Sequence, residues 1–175
     1  MLSGPCLSAD FRGIKPGESC AQIKEREIAR GSVVYSGEVD VPHDLAFSGT
    51  EFEREVVIAY SCPEGLFDRG SLIFPIETTD VATATFMSVH DLLGQSFGVP
   101  IFDNSGWTEE KYQNMGVKHP RGSYMTSWRK DGIAVTINTM QFPSYGPDRW
   151  RVYAMFRKHY ERERSNKSLE RTREE

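Results

Sequence analysis

Apolar and polar residues alternate most regularly between positions 123 and 158. Tyr124, Thr126 and Trp128 fall on one parity, Asp131-Gly132 interrupts, and Ile133, Val135 and Ile137 resume the alternation. Two period-two runs joined by Asp-Gly predict a β-hairpin, because both central residues of the favoured turn need positive φ, which Asp and Gly tolerate. The turn sets the register. Trp128 falls opposite Val135 and Thr126 opposite Ile137, so the apolar side chains of both strands share a face. After Pro143-Ser-Tyr-Gly-Pro147, residues 149–158 predict a third strand with Trp150, Val152, Ala154 and Phe156 on one parity. The result is an antiparallel meander with one buried side.

Upstream, Ser19 with Gln22 three residues later forms the capping-box pattern of a helix start. Cys20, Ile23 and Ile28 then share a helical face, and Gly31 closes the helix. Residues 33–41 predict a strand, 42–50 a polar loop, 54–62 a second strand, and 66–75 a third, bulged at Arg69-Gly70. A helix over 84–97 places Phe86, Val89, Leu93 and Phe97 on one face and is stopped by Gly98 and Pro100. A loop over 103–121 carries Trp107, Tyr112 and His119. Helix followed by strands, given twice with no βαβ alternation, predicts an α+β fold: helices on antiparallel sheet. Residues 10–160 are expected to form one domain, with half-units at about 10–76 and 78–160.

The two ends differ from the middle. Residues 1–9 are small and helix-breaking, and read either as the remnant of a secretory signal or as an ordinary terminus. The first reading places the protein in the periplasm or outside the cell, the second in the cytoplasm. Residues 161–175 are all charged or polar apart from a single Leu and cannot bury a face, so a charged, solvated tail is expected.

Composition narrows the function classes. The 175 residues carry a formal charge of −4, which argues against a nucleic-acid partner, because neutralising phosphates calls for a basic face. No apolar run reaches the ~18 residues a membrane span needs. No Gly-rich phosphate loop, H-E-x-x-H or EF-hand string occurs, and neither a cofactor nor a metal site is expected.

Two resemblances bear on origin and class. Asn166-Lys-Ser-Leu-Glu-Arg-Thr-Arg-Glu-Glu175 resembles the read-through of a recombination site at the end of bacterial integron gene cassettes, which implies a mobile bacterial gene. Phe11-Arg-Gly-Ile-Lys-Pro-Gly-Glu-Ser19 ahead of a helix, with helix-then-strands twice, resembles exported bacterial domains of the β-lactamase-inhibitor-protein and outer-membrane-assembly small-lipoprotein type. That resemblance implies a periplasmic or secreted α+β repeat that binds other proteins, mainly through its sheet.

Of the three cysteines, Cys20 and Cys62 remain as a pair if residues 1–9 are removed. An even count in an exported domain reads as a disulfide; in the cytosol the same residues would be buried thiols. No C-x-x-C spacing supports zinc.

Gly94-Gln-Ser96-Phe-Gly98 matches the G-x-S-x-G elbow, and Ser96, Asp148 and His159 follow in α/β-hydrolase order. The elbow needs a strand before the serine and a helix after it. Here a helical pattern precedes and Pro100 follows, so a helix C-cap at Gly98 accounts for the same residues. Ser127-Trp-Arg-Lys130 has S-x-x-K spacing, but on a strand its Ser and Lys point to opposite faces. His43-Asp44 and His90-Asp91 read as solvated pairs, with His90 on the outer surface of its helix.

The other parity of the meander carries Met125, Arg129, Thr136, Asn138, Met140, Arg151, Tyr153, Met155 and Arg157. Arg, Tyr and Met are the side chains of recognition surfaces, because they stack, fork to carboxylates and adapt their shape. The expected function is therefore a non-enzymatic binding module for a protein or peptide, or for a second copy of itself, through Arg129, Arg151, Tyr153, Met155 and Arg157. The alternative is a small-molecule pocket where the loop 103–121 crosses the sheet, with Ser96 as a hydrolase nucleophile.

Overall fold

In the computed structural model, which describes residues 10–107, 111 and 123–158, two helices lie against one face of an antiparallel sheet of eight strands. The first half contains α1 (Cys20–Ala29), β1 (Val33–Val34), β2 (Leu45–Glu51), β3 (Arg54–Ser61) and β4 (Arg69–Ile73). The second contains α2 (Thr79–Phe97), β5 (Phe102–Asp103), β6 (Met125–Lys130), β7 (Ile133–Gln141) and β8 (Trp150–Lys158). The sheet order is β1-β2-β3-β4-β8-β7-β6-β5. Among the described residues each half is built on a helix followed by four strands, and the two fourth strands pair at the centre, with Leu72 opposite Ala154. The fold is α+β, as the sequence pattern predicts.

The halves match down to their connections. The turn joining the second and third strands has positive φ at both central residues in each half, Phe52 and Glu53 (51° and 60°) and Asp131 and Gly132 (48° and 75°). A short 3-10 turn opening on proline joins the third and fourth strands, at Pro63–Gly65 and again at Pro143–Tyr145. The hairpin register is the one the Asp-Gly turn dictates, with Trp128 opposite Val135 and Thr126 opposite Ile137.

Three expectations are corrected. The strand beginning at Val33 ends at Val34, and β2 forms inside the stretch read as a loop. Leu45 and Phe47 pair with Tyr60 and Ile58 on the core face, and Gly49 sits where a Cβ would come within 2.8 Å of Ile58 Cδ1. There is no bulge at Arg69-Gly70, since pairing to β3 and β8 is one-to-one. Gly70 is required instead because the Phe11 ring lies directly on its backbone. The buried face of α1 carries Ile23 and Glu27, whereas Ile28 is 53% exposed.

Glu27 is fully buried yet fully partnered. Its carboxylate accepts from Arg12 Nε and Nη2 (3.0 and 3.1 Å), Arg30 Nη1 (3.0 Å), Ser32 Oγ (2.7 Å) and Tyr60 OH (2.7 Å). Arg12 also pairs with Glu51, which ties α1, the 11–14 turn and β2 together. Burial alone would raise the Glu27 pKa, but the hydrogen bonds from Arg12, Ser32 and Tyr60 outweigh it and hold the carboxyl below its ordinary range. The capping box of Ser19 and Gln22 forms at the start of α1, and Cys20 in its first turn is joined to Cys62 by a disulfide with Cα atoms 6.1 Å apart.

In the second half α2 begins at Thr79, ahead of the predicted start. Asp148, in the β7–β8 connection, accepts from Thr79 N (3.1 Å) and from its hydroxyl. An acceptor distant in sequence thus satisfies a helix-start donor that Thr78 leaves open. Ala82, Phe86, Val89, Leu93 and Phe97 form the buried stripe of α2, packed on Trp128, Val135, Val152 and Phe156.

Candidate binding face

Because α1 and α2 cover only one face, the opposite parity of every strand forms an outer face. On β6, β7 and β8 it carries the residues the alternation assigned to it. Met125 and Met140 are 41% and 49% exposed, Arg129 and Arg157 are exposed, and Met155 is half-buried. Cross-strand pairing places Met125 opposite Asn138, Thr136 opposite Met155 and Arg129 opposite Ala134. The polar and apolar side chains therefore intermix across a regular surface.

Arg151 and Tyr153 share this parity but not its exposure, which corrects their assignment to an open face. The segment 35–44 leaves the sheet after β1 and crosses the outer side of its central strands. Val39 and Val41 pack there with Ala59, Ile73 and Tyr153 in a second small core, and Tyr153 is only 3% exposed. Asp40 fastens the segment: its Oδ2 accepts from Tyr153 OH (2.5 Å) and from Arg151 Nη1 (2.9 Å). The Arg151 guanidinium also stacks over the Phe142 ring at 5.1 Å. Burial and the Asp40 carboxylate push the Tyr153 phenol well above its ordinary pKa. Both residues are thus committed to an intramolecular strap.

Beside the strap lies a cavity of about 540 Å³, lined by Tyr35, Glu38, Asp40, Thr50, Glu55, Val57, Ile73 and Arg151 among others. The pocket expected where the loop 103–121 crosses the sheet falls on residues most of which lie outside the described ones.

No family model, curated protein or solved structure matches the chain. The functional reading accordingly rests on geometry.

Of the hydrolase constellation, Ser96 and Asp148 are not brought together. Ser96 is in the last turn of α2, where its carbonyl accepts from Lys130 Nζ at 2.6 Å, while Asp148 caps the other end of the same 19-residue helix. At 1.5 Å per residue, the 17 residues from Thr79 to Ser96 span about 26 Å. His159 lies outside the described residues. The S-x-x-K spacing fails as strand geometry requires, with Ser127 Oγ bonded to Thr136 Oγ1 at 2.9 Å while Lys130 reaches Ser96.

His43 is exposed and contacts the Val41 carbonyl. His90 departs from expectation. It sits one helical turn after Phe86, at the edge of the buried stripe, packed against the Phe86 and Trp128 rings and facing Asp103 at 3.4 Å. Burial raises the Asp103 pKa, but hydrogen bonds from Ser105 and Thr126, with the His90 charge, outweigh it and lower it overall. Among the described residues no group of three His, Cys, Asp or Glu side chains is placed to hold a metal, and no helix is long and apolar enough to cross a membrane.

The structural residue that pattern reading missed is Asp40. Its signal in the sequence is a carboxylate flanked by Val39 and Val41, inside the stretch 33–41 that the alternation assigns to a strand.

Proposed function

We propose that this chain is a non-enzymatic binding module that engages a protein or peptide through the outer face of the β6–β8 meander. Met125, Arg129, Met155 and Arg157 are the contact residues, and Arg151 and Tyr153 hold the scaffold beside them. The observation that carries the reading is an asymmetry between matching halves. The outer face at the sheet centre is covered by the chain's own strap at Asp40, whereas the neighbouring surface of β6–β8 presents adaptable Met and Arg side chains to solvent. The partner can equally be a second copy of the chain.

The resemblance to exported protein-binding α+β repeats supports the same reading, as does the Cys20–Cys62 bond, which belongs to oxidising compartments. Peptides selected by display against the immobilised protein test it. Met155→Ala with Arg157→Ala should weaken them by about 2 kcal/mol or more, as expected for hot-spot residues. Unchanged affinity would overturn the reading. A second reading, small-molecule binding, is supported by the 540 Å³ cavity beside Asp40 and predicts that ligands lose affinity on Glu55→Ala, with the β6–β8 face unaffected.

A further inference from the structure

The register of the central strands brings together three arginines from distant parts of the chain. Across one level of the outer face, Arg129 on β6 lies opposite Ala134 on β7, Ala134 opposite Arg157 on β8, and Arg157 opposite Arg69 on β4. The row continues to Ser61 on β3. Arg69 and Arg157 are direct cross-strand partners, with Cβ atoms about 5 Å apart, and like charges so placed are destabilising. Arg129 stands two strand spacings, about 10 Å, beyond Arg157.

Among the described residues none of the three arginines donates a side-chain hydrogen bond or forms an ion pair. The contrast within the same protein is sharp, since Arg12, Arg26, Arg30 and Arg151 are each paired with a carboxylate. Asp68 and Asp131 adjoin the row in sequence, yet neither forms an ion pair with it. Ala134 is only 8% exposed although it points outward, so its small side chain leaves a low floor between the guanidinium groups of Arg129 and Arg157.

We infer that this row is the recognition site of the binding face, and that its partner is an acidic peptide segment of another protein, lying extended across the strands with its carboxylates on Arg69, Arg157 and Arg129. This inference rests on the proposed binding role of the face and adds the chemistry of the partner. Arginine forks match carboxylates in pairs of hydrogen bonds, and an arriving anion would relieve the repulsion between Arg69 and Arg157. The row spans about three strand spacings, or 14 Å, close to the length of four extended residues. Met155, one residue pair along β8 from Arg157, supplies apolar contact for the same ligand. That mixture favours a polypeptide over the uniform phosphate backbone of a nucleic acid.

The test is fluorescence anisotropy with a labelled decaglutamate peptide, a Gly-Ser peptide of equal length, and a thymidine oligonucleotide. Decaglutamate is expected to bind, to weaken as salt is raised, and to lose about tenfold or more in affinity with Arg129→Ala plus Arg157→Ala, in line with the loss of charge-assisted bonds. Lys24→Ala and Arg54→Ala, exposed cations elsewhere, should leave affinity unchanged. Equal binding of decaglutamate and the Gly-Ser peptide, or equal losses with the control variants, would overturn the acidic-peptide site. Oligonucleotide binding that depends on the same arginines would overturn the assignment of a peptide. If display-selected peptides require Met155 and Arg157 but decaglutamate does not bind, the face binds proteins and only the acidic chemistry fails.

Discussion

The Tyr60 hydroxyl donates to the Glu27 carboxylate at 2.7 Å, and neither side chain has measurable solvent exposure. This contact joins α1 to β3 inside the core, where a lone charge would cost several kcal/mol. Its survival depends on Arg12 and Arg30, whose guanidinium groups complete the shell around Glu27. Glu27→Gln should therefore destabilise the fold by about 3 kcal/mol, because it removes the buried charge that compensates the nearly buried Arg12 guanidinium, whereas Tyr60→Phe should cost about 1–3 kcal/mol. Urea denaturation of the two variants measures both.

The same network sets a pH dependence. Glu27 has a lowered pKa in the fold, so the unfolded chain binds its proton first on acidification. Its contribution is complete above the unfolded value near 4.5 and is lost as pH falls through the lower folded value. Tyr60 and Tyr153 have raised values, so their contributions are complete below about pH 10 and decline as pH rises beyond it. Denaturation midpoints across the pH range should fall at both ends, and Glu27→Gln should flatten the acid limb.

Reducing the Cys20–Cys62 bond reopens a loop of 42 residues. The chain-entropy relation then predicts a loss of about 4 kcal/mol. Unfolding with and without reductant measures it, and a difference near zero would contradict the bond.

How much was readable from sequence follows from how local each cause is. The β6–β7 register was legible because Asp131-Gly132 names its own turn. The equivalent β2–β3 turn was not, because Phe52 and Glu53 hold positive φ without glycine, and Phe52 stays there by packing on the core. Glu27 broke the apolar pattern of α1 because two of its partners, the Arg12 guanidinium and the Tyr60 hydroxyl, lie 15 and 33 residues away. Arg151 and Tyr153 were placed on the right face, but the strap that covers them arrives through Asp40, 111 and 113 residues away.

The strained turn yields its own prediction. A non-glycine residue in the left-handed region carries a penalty of about 1 kcal/mol that glycine avoids. Glu53→Gly should therefore raise stability by roughly 0.5–1 kcal/mol, read by thermal or chemical denaturation, while Phe52→Gly should lower it through lost packing.

The strap makes Arg151 and Tyr153 stability residues. Tyr153→Phe, or Asp40→Asn, should cost about 1–3 kcal/mol through the lost charge-assisted bond, and amide exchange over 35–44 should accelerate. Met155→Ala, by contrast, should stay within about 1 kcal/mol of the parent at its half-buried site.

The most direct test of the binding face is NMR of isotope-labelled methionine methyl groups during titration with a display-selected peptide. Met125, Met140 and Met155 report the outer face, while Met87 on α2 packs against the core and serves as the internal control. The account predicts that the resonances of Met155 and Met125, two of its contact residues, move with peptide concentration and that Met87 stays still. Saturable binding that leaves Met125 and Met155 unmoved would contradict it.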